Sequence, residues 1–206
     1  FPAAYTLMTR ADFNQFGGDT TDLAHIAVKN HENALANNHA HLQTEIAVDD
    51  VIEAPAVADP LGIYDACPIS HGASAVVLTT DAYAQQESLE APVTITGSGQ
   101  GGNRMALQDR DAFAKTSATR DAAEEACDDA NVSPADIDVA EVHDCFTIAE
   151  VLALEAPGLY EDGEAIGANT SRRDDTRRST PGRPLWRSES EVIPSGQQVQ
   201  HRSPPS

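Results

Sequence analysis

The sequence has 206 residues, enough for one or two ordinary domains, and no apolar run long enough to span a bilayer or to act as a signal segment. Its 33 acidic residues against 13 basic ones give a net charge of −20, which argues against nucleic acid as a partner because phosphates would be repelled. This lysine-poor composition favours adaptation to high salt, where counter-ions screen self-repulsion; an acidic protein of ordinary salt is the alternative. The three cysteines lack C-x-x-C spacing, so neither a zinc ribbon nor a disulfide framework is indicated.

Helices and short strands alternate in the first half of the chain. Apolar spacing predicts a helix that ends near Met8 and a second helix over 21–33, capped by Thr20 or Thr21. Residues 44–48 alternate like a strand, and 49–52 fit one helical turn. The small apolar residues of 67–80 predict a turn that leads into a buried strand, with a surface helix over 81–86 after it.

The second half continues the alternation. Residues 91–98 predict a strand that ends in a glycine-rich loop, and 119–130 predict an amphipathic helix with alanines inward and acids outward. A further helical turn begins at Ser133, and a short strand over 137–142 leads towards a helix over 147–156. Strand and helix in this order predict an α/β fold.

The last segment differs in composition from everything before it. Residues up to Asn169 hold 29 acids and 6 bases, whereas 170–206 hold 4 acids and 7 arginines with no hydrophobic period. The composition of 170–206 therefore predicts a disordered, basic tail.

His143 is the best single candidate for chemistry, because it lies where a strand ends and a helix begins. Amide groups of a helix N-terminus and a ring nitrogen can converge there and stabilise a developing oxyanion. A capping or buried histidine is the simpler interpretation of the position alone.

Three other motifs favour structural interpretations. Ser70-His71-Gly72 does not form the G-x-S-x-G turn of a nucleophile and reads as a turn before a strand. Residues 97–102 lack the glycine order and the Lys-Ser/Thr of a phosphate loop, so they predict a loop at a strand end. Cys145 lies two residues after His143, but the two side chains need not point the same way.

The histidine-rich segment 31–41 is a further candidate, for a metal site. His31, His39 and His41 have no carboxylate or cysteine at a fixed metal-ligand spacing. A polar loop is therefore predicted, with no metal.

Four segments in chain order carry a family resemblance: Val28-Lys29-Asn30-His31-Glu32-Asn33, the run from Tyr64 to Leu78, Val139 to Phe146, and Gly158 to Gly167. Together they resemble the thiolase superfamily, over residues 1 to about 169. The H-D-C-F form of 143–146, in place of N-E-A-F, is similar to the sterol-carrier-protein-type and archaeal acetyl-CoA C-acetyltransferases, and the composition adds a haloarchaeal character.

The resemblance implies the layered αβαβα thiolase architecture, incomplete in this chain. Residues 1–88 would be the end of the N-terminal core domain with its loop region. Residues 89–169 would be the first half of the C-terminal core domain, with 170–206 as the tail.

The resemblance also implies Claisen condensation, or its reverse, thiolysis, on acyl-CoA thioesters, with coenzyme A thioester as substrate and no bound cofactor. His143 would contribute to the oxyanion hole, and Cys67 and Ser70 would contact the CoA pantetheine. His71 departs from the aspartate usual in that turn. Family members are cytoplasmic homo-oligomers, and archaeal ones can assemble with 3-hydroxy-3-methylglutaryl-CoA synthase and a zinc-ribbon/OB-fold partner.

Departures from the family predict an inactive internal fragment. The nucleophilic cysteine segment and the G-H-P and C-x-G motifs do not appear, and Cys67, Cys127 and Cys145 occupy none of those positions. With suitable codons, a shifted reading of 191–200 gives S-H-P-V-G-A-T-G-A, which predicts an out-of-frame tail. The alternatives are a non-catalytic thiolase-like subunit that binds acyl-CoA or a partner, and a pseudogene product.

Overall fold

The computed structural model describes residues 1–90 and 93–168, together with the backbone of Leu185–Ser188. Seven helices occur in these ranges: α1 Pro2–Phe16, α2 Thr20–Leu35, α3 Val48–Ile52, α4 Asp81–Gln86, α5 Ser117–Ala130, α6 Thr147–Glu155 and α7 Ala165–Ala168. The four strands are β1 Ala56–Ala58, β2 Leu61–Gly62, β3 Val139–Val142 and β4 Leu185–Ser188. Among the described residues, no helix is both long enough and apolar enough to cross a membrane.

The strands form two separate two-stranded sheets. β1 and β2 pair antiparallel, and β3 and β4 pair parallel with Val139 opposite Leu185. Strand β4 lies inside the tail, so the structure gives a strand at one place where composition predicts disorder. An open strand edge offers unpaired backbone groups to any extended segment, which composition does not reveal. The other residues of 170–206 lie outside the described part.

The core forms around α6, whose apolar residues recur at helical spacing. Ile148, Val151 and Leu154 are almost fully buried and pack with Leu23 and Ile26 of α2. Helices α1 and α7 complete this cluster. Because α6 is buried on nearly all sides, the path of the chain from β3 into α6 is fixed.

Local signals explain where α2 begins. The Asp19 carboxylate accepts the amides of Thr21 at 2.7 Å and Asp22 at 3.3 Å, and Asp22 accepts the Asp19 amide at 3.0 Å. This capping box satisfies the donors that a helix start leaves open, so the cap is Asp19 rather than the predicted threonines. Helix α1 continues to Phe16, beyond the predicted end at Met8, and stops at Gly17, which has a φ of 87°.

Three predicted strands are not present in the described residues, and residues 91–92 of the third lie outside them. The structure assigns no strand to 44–48, 67–80 or 93–98, and Ile69 and Val77 are almost fully exposed. A strand is defined by backbone hydrogen bonds to a neighbour, and the described part of the chain supplies no neighbouring strand for these segments. Ser133 caps a single 3-10 turn, Pro134–Asp136, where the sequence predicts a helical turn.

The glycine-rich segment lies directly on α5. A Cβ at Gly97, Gly99 or Gly101 would meet the carbonyl oxygens of Ala126, Ala122 and Ala118 at 2.1, 1.9 and 1.8 Å. Two residues of extended chain rise about 6.6 Å, close to the roughly 6 Å of four helical residues, so alternate glycines match the alanine spacing.

Acidic side chains of α5 hold the backbone amides between those glycines. The Ser98 amide donates to Asp129 at 3.3 Å and the Gln100 amide to Glu125 at 2.9 Å. With these amides bound to carboxylates, the segment is not arranged to bind a phosphate.

We expect Gly99→Ala to lower the free energy of unfolding by roughly 1–3 kcal/mol, because the α5 backbone must move to admit a methyl group. Gly102→Ala is the matched control, since nothing lies within 4 Å of a Cβ there. Urea unfolding of both variants measures the difference. Equal stability of the two would show that the glycines are not packed against α5.

A buried carboxyl makes stability depend on pH. Asp12 is fully buried, and neither of its carboxyl oxygens has a hydrogen-bond partner among the described residues. Burial, with a smaller contribution from Glu155, raises the Asp12 pKa from 3.8 to about 7. Between those values the folded protein keeps a proton that the unfolded chain has released. The stabilising contribution is therefore complete below 3.8 and is lost as the pH rises through 7.

We expect Asp12→Asn to flatten this dependence. Urea unfolding of the wild type and the variant on both sides of pH 7 measures it. A difference between the two proteins that does not change with pH would contradict the assignment.

Candidate functional site

A cavity of about 290 Å³ lies between α2, the turn at 63–70 and the segment that enters α6. Cys67, Ser70 and His143, the three site residues predicted from the sequence, all line it. Its wall also includes Asn30, His31, His41, Tyr64, Asp65, Asp144, Cys145 and Thr147. The structure therefore brings together three residues that are up to 76 positions apart in the sequence.

A short antiparallel contact holds the two walls of this cavity together. Ala66 bridges Phe146, and the Cys67 amide donates to the Cys145 carbonyl at 3.0 Å. Beside it, the buried Asp65 carboxylate accepts the Thr147 hydroxyl at 2.8 Å and the Gly62 amide at 2.7 Å. These bonds fix the turn against the start of α6.

His143 occupies the junction that the sequence predicts. It follows the last residue of β3, Val142, and precedes the first residue of α6, Thr147, by four positions. The side chain is exposed and borders a second, mostly apolar cavity of about 420 Å³, whose lining includes Tyr5, Met8, Met105, Leu107 and Leu152. A ligand can therefore reach His143 from two sides.

A charged network behind the cavity was not found from the sequence. Lys29 of α2 donates to Glu150 of α6 at 2.7 Å, and Asn30 donates to Glu150 at 3.1 Å and to Asp144 at 2.8 Å. Glu150 is fully buried, and burial raises its pKa while Lys29 acts in the opposite direction. The sequence signal that could have indicated this network is the scarcity of lysine, because the whole chain contains two lysines and Lys29 is one of them.

The histidines of the loop have separate partners. His41 Nδ1 lies 2.6 Å from the Ser70 hydroxyl, whereas His31 Nδ1 lies 2.8 Å from the Thr44 carbonyl oxygen and its ring meets Tyr64 edge-on. His39 is exposed. Within the described ranges no group of three or more His, Cys, Asp or Glu side chains could hold a metal ion.

The two cavity cysteines do not have the environment of activated nucleophiles. Burial, followed by the nearby Cys145 and Asp144, raises the pKa of the Cys67 thiol, which favours its neutral form. The Cys145 thiol donates to the Tyr5 hydroxyl at 3.1 Å, and burial together with this bond raises the pKa of Tyr5. Neither geometry supports a Cys–His catalytic pair.

Sequence comparisons agree with the resemblance. The family described as thiolase C-terminal domain-like matches residues 99–180. The acetyl-CoA acetyltransferase of Methanothermobacter thermautotrophicus is 40% identical over 80% of this chain and 43% of that protein, and that of Methanocaldococcus jannaschii is 32% identical over 80% and 42%. Sterol carrier protein 2 of Rattus norvegicus is 29% identical over 78% of this chain and 30% of that protein.

The chain belongs to the thiolase superfamily. Its fold agrees: the structure titled Ltp2-ChsH2(DUF35) aldolase aligns with a TM-score of 0.74 at 19% identity, over 93% of this chain and 50% of that one. A monomeric SCP2-thiolase-like protein from Mycobacterium smegmatis aligns with a TM-score of 0.61 at 17% identity, over 80% and 38%. The predicted incomplete thiolase-like α/β fold is confirmed.

The chain spans less than half the length of the curated relatives given above. The family match over residues 99–180 includes the His143 side of the cavity, whereas α2 and the turn at 63–70 precede it.

Proposed function

We propose that this chain forms the part of a thiolase-type acyl-CoA C-acyltransferase that holds the thioester and its developing oxyanion. The observation that carries the proposal is the cavity in which His143, Cys67 and Ser70 meet, in a chain of the thiolase superfamily. The archaeal acetyl-CoA acetyltransferases among the relatives support acetoacetyl-CoA as the test substrate.

His143 is the residue that acts on the reacting atoms. Removing a proton next to a thioester, or cleaving the carbon–carbon bond in the reverse direction, places negative charge on the thioester oxygen. A ring N–H of His143, which lines the cavity and lies four residues before α6, can donate to that oxygen. Such a donor stabilises the enolate more than the neutral thioester, which lowers the barrier.

Ser70 and Cys67 act on binding. The contact with His41 orients the Ser70 hydroxyl at the edge of the cavity. The hydrogen bond from the Cys67 amide to the Cys145 carbonyl holds the Cys67 backbone in place. Both residues offer polar atoms to the amides of a pantetheine arm. We assign no covalent step to Cys67, Cys127 or Cys145, because none lies in a family nucleophile motif.

A non-catalytic thiolase-like subunit that binds acyl-CoA or a partner is the second candidate. It is favoured by the same observation, since binding residues are present without a cysteine in a nucleophile motif. One structural neighbour is titled as an assembly of Ltp2 with ChsH2(DUF35), which supports proposing a zinc-ribbon/OB-fold partner for this chain as well. Self-association and a 3-hydroxy-3-methylglutaryl-CoA synthase partner remain part of this proposal.

Binding and turnover measured separately test the function. We expect the 206-residue chain to bind acetoacetyl-CoA in calorimetry without cleaving it when free CoA is added. A neutral hydrogen bond contributes about 0.5–1.5 kcal/mol, so Ser70→Ala should weaken binding about threefold to tenfold, whereas the neighbouring exposed Ser74→Ala should leave it unchanged. Absence of binding at both low and molar salt would overturn the proposal.

A further inference from the structure

Two cysteines lie opposite each other in the short antiparallel ladder that joins residues 66–67 to residues 145–146 at the cavity wall. Because Ala66 bridges Phe146 antiparallel, the residues directly opposite next to this pair are Cys67 and Cys145, and the Cys67 amide bonds to the Cys145 carbonyl. Opposite residues of an antiparallel pair point to the same face. The Cα atoms of a hydrogen-bonded antiparallel pair are typically about 5.5 Å apart, within the roughly 4.4–6.8 Å that a disulfide requires, and the bond from the Cys67 amide to the Cys145 carbonyl is one of the two bonds of such a pair.

We propose that Cys67 and Cys145 form a reversible disulfide when the protein meets a peroxide, and that this bond narrows the cavity. The bond itself follows from the geometry of the ladder. Its effect on ligand binding rests on the proposed function, since both residues line the cavity assigned to the CoA thioester.

The chemistry balances with one peroxide for each bond. The sulfur of the exposed Cys67 attacks a peroxide oxygen, which gives a sulfenic acid and releases the first water from hydrogen peroxide. The Cys145 sulfur then leaves its contact with the Tyr5 hydroxyl and attacks the Cys67 sulfur, displacing the second water. Two thiols are oxidised by two electrons, and the peroxide is reduced to two waters.

Proximity rather than thiol acidity favours this pair. The raised pKa of Cys67 keeps its thiol protonated and slows its reaction with peroxide, whereas Cys145 already lies opposite Cys67 for the second step. A ladder disulfide that is partly exposed also remains open to reduction by small thiols.

The third cysteine provides an internal control. Cys127 lies on α5, outside the cavity, and is 18 residues from Cys145, whereas Cys67 is 78 residues from Cys145. In an unfolded chain, loop-closure entropy favours the shorter loop by about ninefold, from its dependence on the 3/2 power of length. In the folded protein the ladder places Cys67 opposite Cys145 and so favours the Cys67–Cys145 bond. The unfolded chain favours the Cys127–Cys145 bond instead.

The experiment is disulfide mapping of the full 206-residue chain after hydrogen peroxide, with free thiols alkylated before digestion. We expect Cys67–Cys145 as the dominant bond in buffer, with Cys127 alkylated, and Cys127–Cys145 as the dominant bond in urea. Cys127→Ser should retain the bond in buffer and Cys67→Ser should abolish it. The same pairing in buffer as in urea, or sulfenic and sulfinic acids without a bond, would overturn the proposal.

Acetoacetyl-CoA binding is then measured on the same samples. We expect the oxidised wild type and oxidised Cys127→Ser to bind at least tenfold more weakly than their reduced forms, with recovery after dithiothreitol. Peroxide should not change the affinity of Cys67→Ser, whatever its starting value. If the disulfide is mapped but the affinity is unchanged, the proposed effect on the cavity is wrong. If the reduced protein does not bind acetoacetyl-CoA, the proposed function is wrong, whereas the disulfide itself remains supported.

Discussion

Replacing His143 with alanine is expected to lower the kcat of acetoacetyl-CoA thiolysis about 100-fold or more in a complete thiolase subunit that contains this segment. Loss of one oxyanion donor typically costs about 10²–10³ in kcat, because the charge that it would stabilise develops in the transition state. The subunit is a chimera in which the matching 164 residues of this chain replace their counterparts in the Methanothermobacter acetyltransferase.

Two further variants show whether the loss comes from the missing donor. His143→Asn keeps an N–H donor, as in the N-E-A-F form of other thiolases, and should retain more activity than His143→Ala. His39→Ala, on an exposed loop residue, should retain full activity. A KM change with unchanged kcat in His143→Ala would place His143 in substrate binding instead.

The Lys29–Glu150 pair should give the largest effect on stability. Lys29→Met leaves a fully buried carboxylate without its cation, and we expect the free energy of unfolding to fall by about 3–5 kcal/mol. Arg10→Met, which removes an exposed ion pair with Asp59, should cost less than about 1 kcal/mol. Urea unfolding measures both.

A double variant separates the buried charge from the lost packing. In Lys29→Met/Glu150→Gln the carboxylate is gone, so much of the stability lost in Lys29→Met should return. No recovery would mean that Lys29 stabilises the protein through its other contacts.

Local signals in the sequence were sufficient to locate His143. Alternating apolar residues before it and helical spacing after it predict the junction of β3 and α6, and the structure has both elements within a residue or two of the predicted bounds. Helix α4 also lies at the predicted 81–86.

Non-local contacts explain what could not be predicted. Lys29 and Glu150 are 121 residues apart, and no local pattern indicates that α2 packs beside α6. The segment 67–80 has the composition of a buried strand, yet burial depends on a neighbour that composition does not specify. The end of α1 was missed because the buried polar residues Thr9 and Asp12 interrupt its apolar periodicity.

The carboxylates of α5 on the glycine-rich segment change how the acidity of this chain should be understood. Asp129 and Glu125 accept hydrogen bonds from backbone amides of the glycine-rich segment. Part of the negative charge therefore holds two segments together instead of only contacting water. Replacing acids with lysine to reduce a need for salt would detach the segment at these two positions. Asparagine and glutamine would retain an acceptor oxygen there and remove the charge alone, so the choice of amide or lysine should separate adhesion from repulsion.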